Sequence, residues 1–300
     1  MSITFNNYNP NPLFGEDYFA LRKFLIGLDN HNYHFGRWDW MITHSYLDKN
    51  GLPYIGLWEE NGEIVAAATY DCGLGKAFLL ILKGYRRLWE EMLVYAKDAL
   101  AKDGQFKVSI PDGDLDMQEA AMRNGFYPTQ DKECDAIYPI NIDKIHYTLP
   151  KGFTITSMAD TYNLYQYGQV LWKGFGHEAN GEGPFVPKQD ELSEWDIEFK
   201  RPNCNLDLKI AVAAPNGDFV SYCGMWQDST SKSALVEPVA TDPAYRKMGL
   251  GKAAVLEAVR RCGTLGAKQA YVGSSQQFYY SIGFRPYATS TWWEQKQHKG

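Results

Sequence analysis

Between Arg246 and Lys252 the chain reads Arg-Lys-Met-Gly-Leu-Gly-Lys, which joins three cations to two glycines one residue apart. Gly249 and Gly251 remove side chains where the backbone must come close to something. Arg246, Lys247 and Lys252 gather positive charge around the same spot. If a helix starts here, its first turn offers free N–H groups and the positive end of a dipole. A phosphate or pyrophosphate suits that chemistry.

Two elements must hold the loop. Upstream, Val236-Glu-Pro-Val-Ala-Thr241 reads as a short apolar strand, followed by a tight turn at Asp242-Pro-Ala-Tyr245. Downstream, Ala254, Val255, Ala258, Val259 and Cys262 recur at spacings of one, three and four, the stripe of a helix. Known phosphate loops can be compared with this one. A dinucleotide fingerprint needs Gly-x-Gly-x-x-Gly, and Ala254 takes the third place, an exchange that such sites sometimes accept. A Walker loop fails, because Ala253 follows Lys252 and no glycine stands five residues before Gly251.

Arg-x-x-Gly-x-Gly at Arg246–Gly251, between a strand and a helix and preceded by Pro243 and Tyr245, resembles the pyrophosphate loop of the GNAT superfamily of N-acyltransferases. A second match follows one helix and one strand later. Tyr279-Tyr-Ser-Ile-Gly-Phe284 is similar to that family's Tyr-x-x-x-Gly-Phe. The resemblance is good from Phe153 to Glu294 and weak before it. It implies acetyl-CoA, bound along the backbone of Val239, Ala240 and Thr241 in the manner of an added strand. It also implies a diphosphate held by the amides of Lys247, Met248, Gly249, Leu250, Gly251 and Lys252 with help from Arg246.

The same resemblance makes Tyr279 the general acid for the departing thiolate. A phenol has a reference pKa of about 10, so it holds its proton at neutral pH. The plain alternative is an aromatic packed beside Phe278 and Tyr280, and helix register favours Tyr279 over Tyr280. Glu237, on the strand before the loop, is a candidate base for the amine; it could equally pair with a neighbouring strand. Asp228 is the next candidate carboxylate. His177 and Glu178, in the glycine-rich connection Gly174–Gly183, would line an acceptor site with Trp226 and Trp292, although a polar surface loop reads the same way. His31 and His34 stand three apart without a third ligand, and no metal is expected.

Size and charge set the bounds. A chain of 300 residues suggests two domains of ordinary size, and a hydrophobic content of 45% suits a water-soluble chain. No apolar run reaches the length of a membrane span, and the N-terminus lacks a signal-like pattern. Five scattered cysteines without a Cys-x-x-Cys pair fit a reducing cytoplasm. A net charge of −6 argues against nucleic acid as the partner.

Stepping along the chain, Asp17–Leu28 carries a helical pattern, and Trp38 and Trp40 form an aromatic cluster for a core or a groove wall. Strands are expected at Tyr54–Trp58 and Ile64–Tyr70 across the hairpin signal Asn61-Gly62, and again at Phe78–Leu82. A helix at Leu88–Ala101, a strand at Lys107–Ile110 and a helix near Asp116–Arg123 follow. The second half replays this order: a strand from Phe153, a helix at Tyr162–Trp172, and strands Leu208–Ala213 and Asp218–Trp226 across Asn216-Gly217. Gly217 lies 155 positions after Gly62, and Gly283 lies 158 after Gly125. An internal duplication accounts for this, with a linker near Asn141–Gly152.

The expected fold is therefore α/β (α+β): two tandem GNAT-like domains, each a mixed central sheet flanked by helices. Residues 1–145 would be a degenerate copy and 146–300 the acetyl-CoA-binding copy. In the first copy Lys83-Gly-Tyr-Arg-Arg-Leu88 stands where the glycine loop belongs, and Ala121 stands where Tyr279 belongs. Gly73-Leu-Gly-Lys-Ala77 repeats the pentapeptide Gly249–Ala253 but precedes a strand, and reads as a hairpin turn. The expected activity is acetyl transfer from acetyl-CoA to a small-molecule or peptide amine, by a monomer or a homodimer. A CoA-sensing or protein-binding module without catalysis is the alternative.

Overall fold

The computed structural model describes residues 2–29 and 32–295. One order of elements runs twice along the chain. The first run is β1 (Thr4–Asn7), α1 (Glu16–Leu28), α2 (Phe35–Thr43), β2 (Gly56–Glu60), β3 (Glu63–Asp71), β4 (Gly73–Ile81), α3 (Trp89–Ala99), β5 (Lys107–Pro111), α4 (Leu115–Arg123) and β6 (Phe126–Pro139). The second is β7 (Thr154–Ser157), α5 (Leu164–Gly174), α6 (Glu191–Phe199), β8 (Lys209–Ala213), β9 (Phe219–Gln227), β10 (Ser233–Thr241), α7 (Leu250–Thr264), β11 (Gln269–Val272), α8 (Gln277–Ser281) and β12 (Arg285–Gln295). The hairpin turns fall at the glycine pairs. Asn61 and Gly62 both take positive φ, the twist a two-residue hairpin needs.

Packing divides the chain into two units: residues 1–136 with 273–275 and 286–300, and residues 137–272 with 276–285. A division at 145/146 assigns the last strand to the second domain, and packing does not. β12 pairs antiparallel with β5 from Ser290↔Pro111 to Glu294↔Lys107. Trp292 and Trp293 are buried among the core residues of the first unit. Two indoles bury more apolar surface than any other pair of residues, so they commit the strand to that core.

The first unit's strands run in the order β1-β2-β3-β4-β5-β12-β6, with β4 and β5 parallel. α1 packs on β3, and α3 packs on β2, β3 and β4. Trp38 is a core residue, edge-on to Tyr8 at 5.5 Å, whereas Trp40 is only half-buried. The pentapeptide Gly73–Ala77, expected as a turn, is the first half of β4. The turn sits one residue earlier, at Cys72 with φ 56°, because Lys76, Ala77 and Phe78 already pair with β5.

The second unit's strands run β11-β10-β9-β8-β7, with β10 and β11 parallel and the other pairs antiparallel. β9 is buried from Phe219 to Trp226, at every consecutive position. Side chains alternate faces along a strand, so both faces of this sheet are covered. α5 packs on β9 and β10, and α7 on β8, β9 and β10. The stripe Ala254, Val255, Ala258, Val259 and Cys262 is buried as the spacing predicts. α6 has no counterpart in the sequence reading. Its Trp195 lies within reach of Gly168, where an added Cβ would meet the indole at 2.4 Å.

Candidate active site

The second unit builds its site from a break in β10. Glu237 and Pro238 stand together opposite the single residue Gly224, since Val236 pairs with Met225 and Val239 with Cys223. Two residues against one make a bulge, which bends the strand. Gly224 permits it: a Cβ there would lie 2.5 Å from the Glu237 carbonyl oxygen. β10 pairs with β11 only over Ser233–Leu235. Past the bulge, Val239–Thr241 keep the ladder to β9 and leave the one to β11. On that side their backbone is in position to accept an extended ligand as a strand would.

The glycine loop follows directly. Asp242 accepts from Ala244 N at 2.9 Å and shapes the Pro243–Tyr245 turn. Lys247 takes a left-handed φ of 63°, and Gly249 one of 82° at the N-cap of α7. Its side-chain-free cap leaves the N-terminal amides of α7 without a side-chain partner, and Arg246–Gly249 are exposed. Gly251 is required for a different reason. A Cβ on it would sit 3.0 Å from Thr241 Oγ1 and 3.3 Å from the Phe278 ring. The helix start is thus pressed onto both β10 and α8.

Arg246 serves the loop itself. Its Nη2 donates to Gly174 O at 2.9 Å and its Nε to Thr241 O at 3.3 Å, tying the loop to α5 and β10. Gly174 is held equally tightly, since a Cβ there would lie 2.6 Å from Ala240 Cβ. Lys247, Met248 and Lys252 point to solvent. The Leu250 side chain is buried, so only its backbone is available to a ligand.

On α8, Tyr279 is 7% exposed and Tyr280 is half-buried, so Tyr280 is the wetter of the two and Tyr279 is packed. Tyr279 packs edge-on to both Phe278 and Phe284. Burial drives its phenol well above the usual range, with Cys223 and Glu237 adding to the rise. The hydroxyl therefore keeps its proton. The same electrostatic coupling puts Cys223, a fully buried thiol pushed up by desolvation, and Glu237 in one neighbourhood with it.

The expected acceptor residues differ in their surroundings. His177 stacks on Trp172 at 4.1 Å and bonds Glu182 at 2.9 Å, while Glu178 is exposed. Asp228 accepts from the Thr230 amide at 2.8 Å and its hydroxyl, so it holds the β9–β10 turn together. Trp226 is 5% exposed and donates its indole N–H to the Glu237 carbonyl at 3.1 Å. Trp292 corrects the sequence reading: it is a core residue of the first unit, 5.2 Å from Phe78 and under Lys76. Spacing could not reveal this, since β12 departs for the other unit five residues after α8 ends. His31 lies outside the described residues. His34 is buried, accepts from Gly36 N and has its pKa lowered to about 3 by burial, as a helix cap. Among the described residues no group of three His, Cys, Asp or Glu could hold a metal ion.

Lys209 is the residue that sequence reasoning missed. It is 3% exposed, its ammonium lies 3.5 Å from the centre of the Trp226 ring and it donates to Met225 O at 3.0 Å. The available signal was a single cation opening the apolar run Lys-Ile-Ala-Val-Ala.

A model of the acetyltransferase (GNAT) family matches residues 172–284, from the end of α5 to the turn after α8. Among curated proteins none matches by sequence. Among solved structures the chain is similar to a GCN5-related N-acetyltransferase from Sphaerobacter thermophilus, at 14% identity and a TM-score of 0.57, over 98% of this chain and 95% of that one. It is also similar to a tandem GNAT protein from the clavulanic acid biosynthesis pathway, at 11% identity and 0.60, over 98% of each chain. A third is the N-myristoyltransferase of Saccharomyces cerevisiae, solved with myristoyl-CoA and inhibitors, at 12% identity and 0.55, over 98% of this chain and 81% of that one. At such identities the likeness is one of fold. The chain therefore has a tandem GNAT fold, and its residues 172–284 match the acetyltransferase (GNAT) family model.

Proposed function

We propose that the second unit transfers an acetyl group from acetyl-CoA to a primary amine on a small molecule or peptide, by direct attack of the amine. The observation that carries this reading is the free side of Val239–Thr241 running into an α7 start that no side chain caps. The residues fit the cofactor. Gly251 has little room for a Cβ between Thr241 and Phe278, and Gly249 has a left-handed φ with open space around it, which suits a backbone approached by phosphate.

Val239, Ala240 and Thr241 would hold the pantetheine arm by main-chain hydrogen bonds, and the amides from Lys247 to Lys252 would hold the diphosphate. When bound, the cofactor supplies an activated thioester carbon and leaves as a thiolate. Tyr279 Oη, protonated at every physiological pH, donates to that leaving sulfur. Glu237 takes the proton from the incoming amine, whose own pKa of about 10 leaves little of it reactive at neutral pH. Arg246 keeps the loop in shape through Gly174 and Thr241. His177 and Glu178 would meet the acceptor. Residues 1–145 would act as a degenerate copy that has lost the cofactor.

No helix among the described residues is long and apolar enough to cross a membrane. The free cysteines agree with a cytoplasmic site of action. Purified protein should bind acetyl-CoA in calorimetry and release free thiol when supplied with the right member of an amine panel. Binding without thiol release from any amine would favour a CoA-sensing module; no binding would end the proposal.

A further inference from the structure

Lys209 has no place in the mechanism above, yet it is a buried cation beside the site. Removing an ammonium from water costs several kcal/mol unless the protein replaces its solvation. Here the replacement is specific. The ammonium sits over the Trp226 ring at 3.5 Å and bonds the Met225 carbonyl at 3.0 Å. A cation over indole is the strongest pairing of its kind, and more so when dry. Trp226 is thereby held by its face. Its edge is held by something else: the indole N–H donates to the Glu237 carbonyl at 3.1 Å. That carbonyl belongs to the first residue of the bulge.

We propose that Lys209 is a positioning residue, which clamps Trp226 so that its indole N–H fixes the bulge at Glu237–Pro238 and keeps the far side of Val239–Thr241 open to a ligand. The chain of contacts is continuous: Lys209 on β8, Trp226 on β9, Glu237 on β10. Each lies on a neighbouring strand, at 3.5 Å from Lys209 to the Trp226 ring and 3.1 Å from Trp226 to Glu237. Gly224 completes the device, since a side chain there would push against the carbonyl that Trp226 holds. The carbonyl accepts from an indole of the adjacent strand, so the bulge is anchored by a side chain where the ladder omits a backbone pair. This deepens the reading of that strand side as the cofactor site and rests on it for its functional consequence.

The test separates the two. In the ligand-free protein, Lys209→Met keeps the length of the side chain and removes its charge. It should speed hydrogen exchange at the Trp226 indole N–H and at the Val239–Thr241 amides by about tenfold, the effect of losing one buried charge-assisted bond. In calorimetry the same variant should weaken acetyl-CoA by a similar factor of about ten, with Lys209→Arg recovering most of it. Trp226→Phe keeps an aromatic face and loses the N–H, and should give the same changes at the Val239–Thr241 amides and in acetyl-CoA affinity even if Lys209→Met does not fold. The double variant should be no worse than Trp226→Phe alone, because both remove one device. Unchanged exchange in both single variants overturns the clamp. If the unaltered protein fails to bind acetyl-CoA, the proposed function falls, and the exchange rates still decide whether the clamp exists.

Discussion

The two copies place the same helix after the same strand and give it opposite chemistry. In the first unit, α3 begins with Trp89-Glu-Glu, so its positive end meets two carboxylates of its own. Glu90 pairs with Arg123 at 2.6 Å, and Glu91 accepts from Trp58 Nε1 at 2.7 Å. Arg86, in the connection before α3, is bound to Asp114 and to Asp116. In the second unit, α7 has no acid in its first turn, and Lys247 and Lys252 are exposed around it. Its carboxylate, Glu257, lies two turns further on, buried between Arg260, Arg261 and Tyr147. The strands differ in the same way. β3 and β4 pair without interruption from Ala66↔Ile81 to Tyr70↔Ala77, whereas β9 and β10 carry a bulge. The dipole at the start of α3 is met by side chains of its own, and that at the start of α7 is not.

That contrast can be broken from several directions. The largest effect should come from ending the chain after Arg285. Losing the burial of Trp292 and Trp293 costs about 3–5 kcal/mol for each, a sum comparable to the whole stability of a domain. The first unit should then lose its cooperative melt and its near-UV circular dichroism, even though the missing strand is the end of the second sequence copy. A first unit that still melts cooperatively would mean that its own β6 suffices.

Gly249→Trp comes next. A bulky residue at a left-handed φ in the loop should weaken acetyl-CoA by more than about a hundredfold in calorimetry, since strain and steric blockage add. Gly84→Trp, at the corresponding connection of the first copy, meets open space and should leave the affinity unchanged. Equal losses in the two variants would erase the functional difference between the copies.

Tyr279→Phe should lower kcat by about a hundredfold, the lower range for a positioned general acid, with cofactor affinity intact. Its counterpart Ala121 has nothing to remove. Because burial holds the Tyr279 phenol far above its usual pKa, the rate should show no fall attributable to it up to pH 10. An unchanged kcat in the phenylalanine variant removes the residue from the chemistry.

The smallest effect concerns Glu257. Burial raises its carboxyl, but hydrogen bonds from Arg260, Arg261 and Tyr147 outweigh that and hold it at about 2. The unfolded chain would protonate it near 4.5, so the unfolded state binds the proton first as pH falls. Its contribution is complete above 4.5 and is lost between there and about 2. Thermal melts of Glu257→Gln should lack this part of the acid slope. An identical slope in both proteins would show the carboxylate to be unpaired in solution.

The strand, loop and helix that frame the candidate site were legible because their signals are local. Glycines one apart, cations around them and an alternating run of small apolar residues describe α7 and its loop without any partner. The two hairpins announced themselves by Asn-Gly, for the same reason: the turn's torsions are properties of those residues. The pentapeptide Gly73–Ala77 shows the limit. It matches Gly249–Ala253 letter for letter, and it is a strand in one place and a helix start in the other. Neighbouring strands decide between them, because β5 supplies ladder bonds to Lys76–Phe78. Trp292 failed as a pocket residue for a related reason, since an indole's burial depends on what packs against it. α6 escaped because Leu192, Trp195, Ile197 and Phe199 fall at spacings of three, two and two, which make no helical stripe, and its Trp195 lies against Gly168.

By itself, then, the order of residues determined a repeated α/β unit, one glycine loop between a strand and a helix, and the copy that carries it. These follow from torsional preference, periodicity and charge, which act within a few residues. Tertiary structure alone decided that the last strand completes the first unit and that Arg246 is spent on carbonyls. It also decided that Lys209, Trp226 and Glu237 stand in line across three strands. Such facts depend on contacts between segments far apart in the chain, where burial and hydrogen bonding are settled by whatever the fold brings alongside.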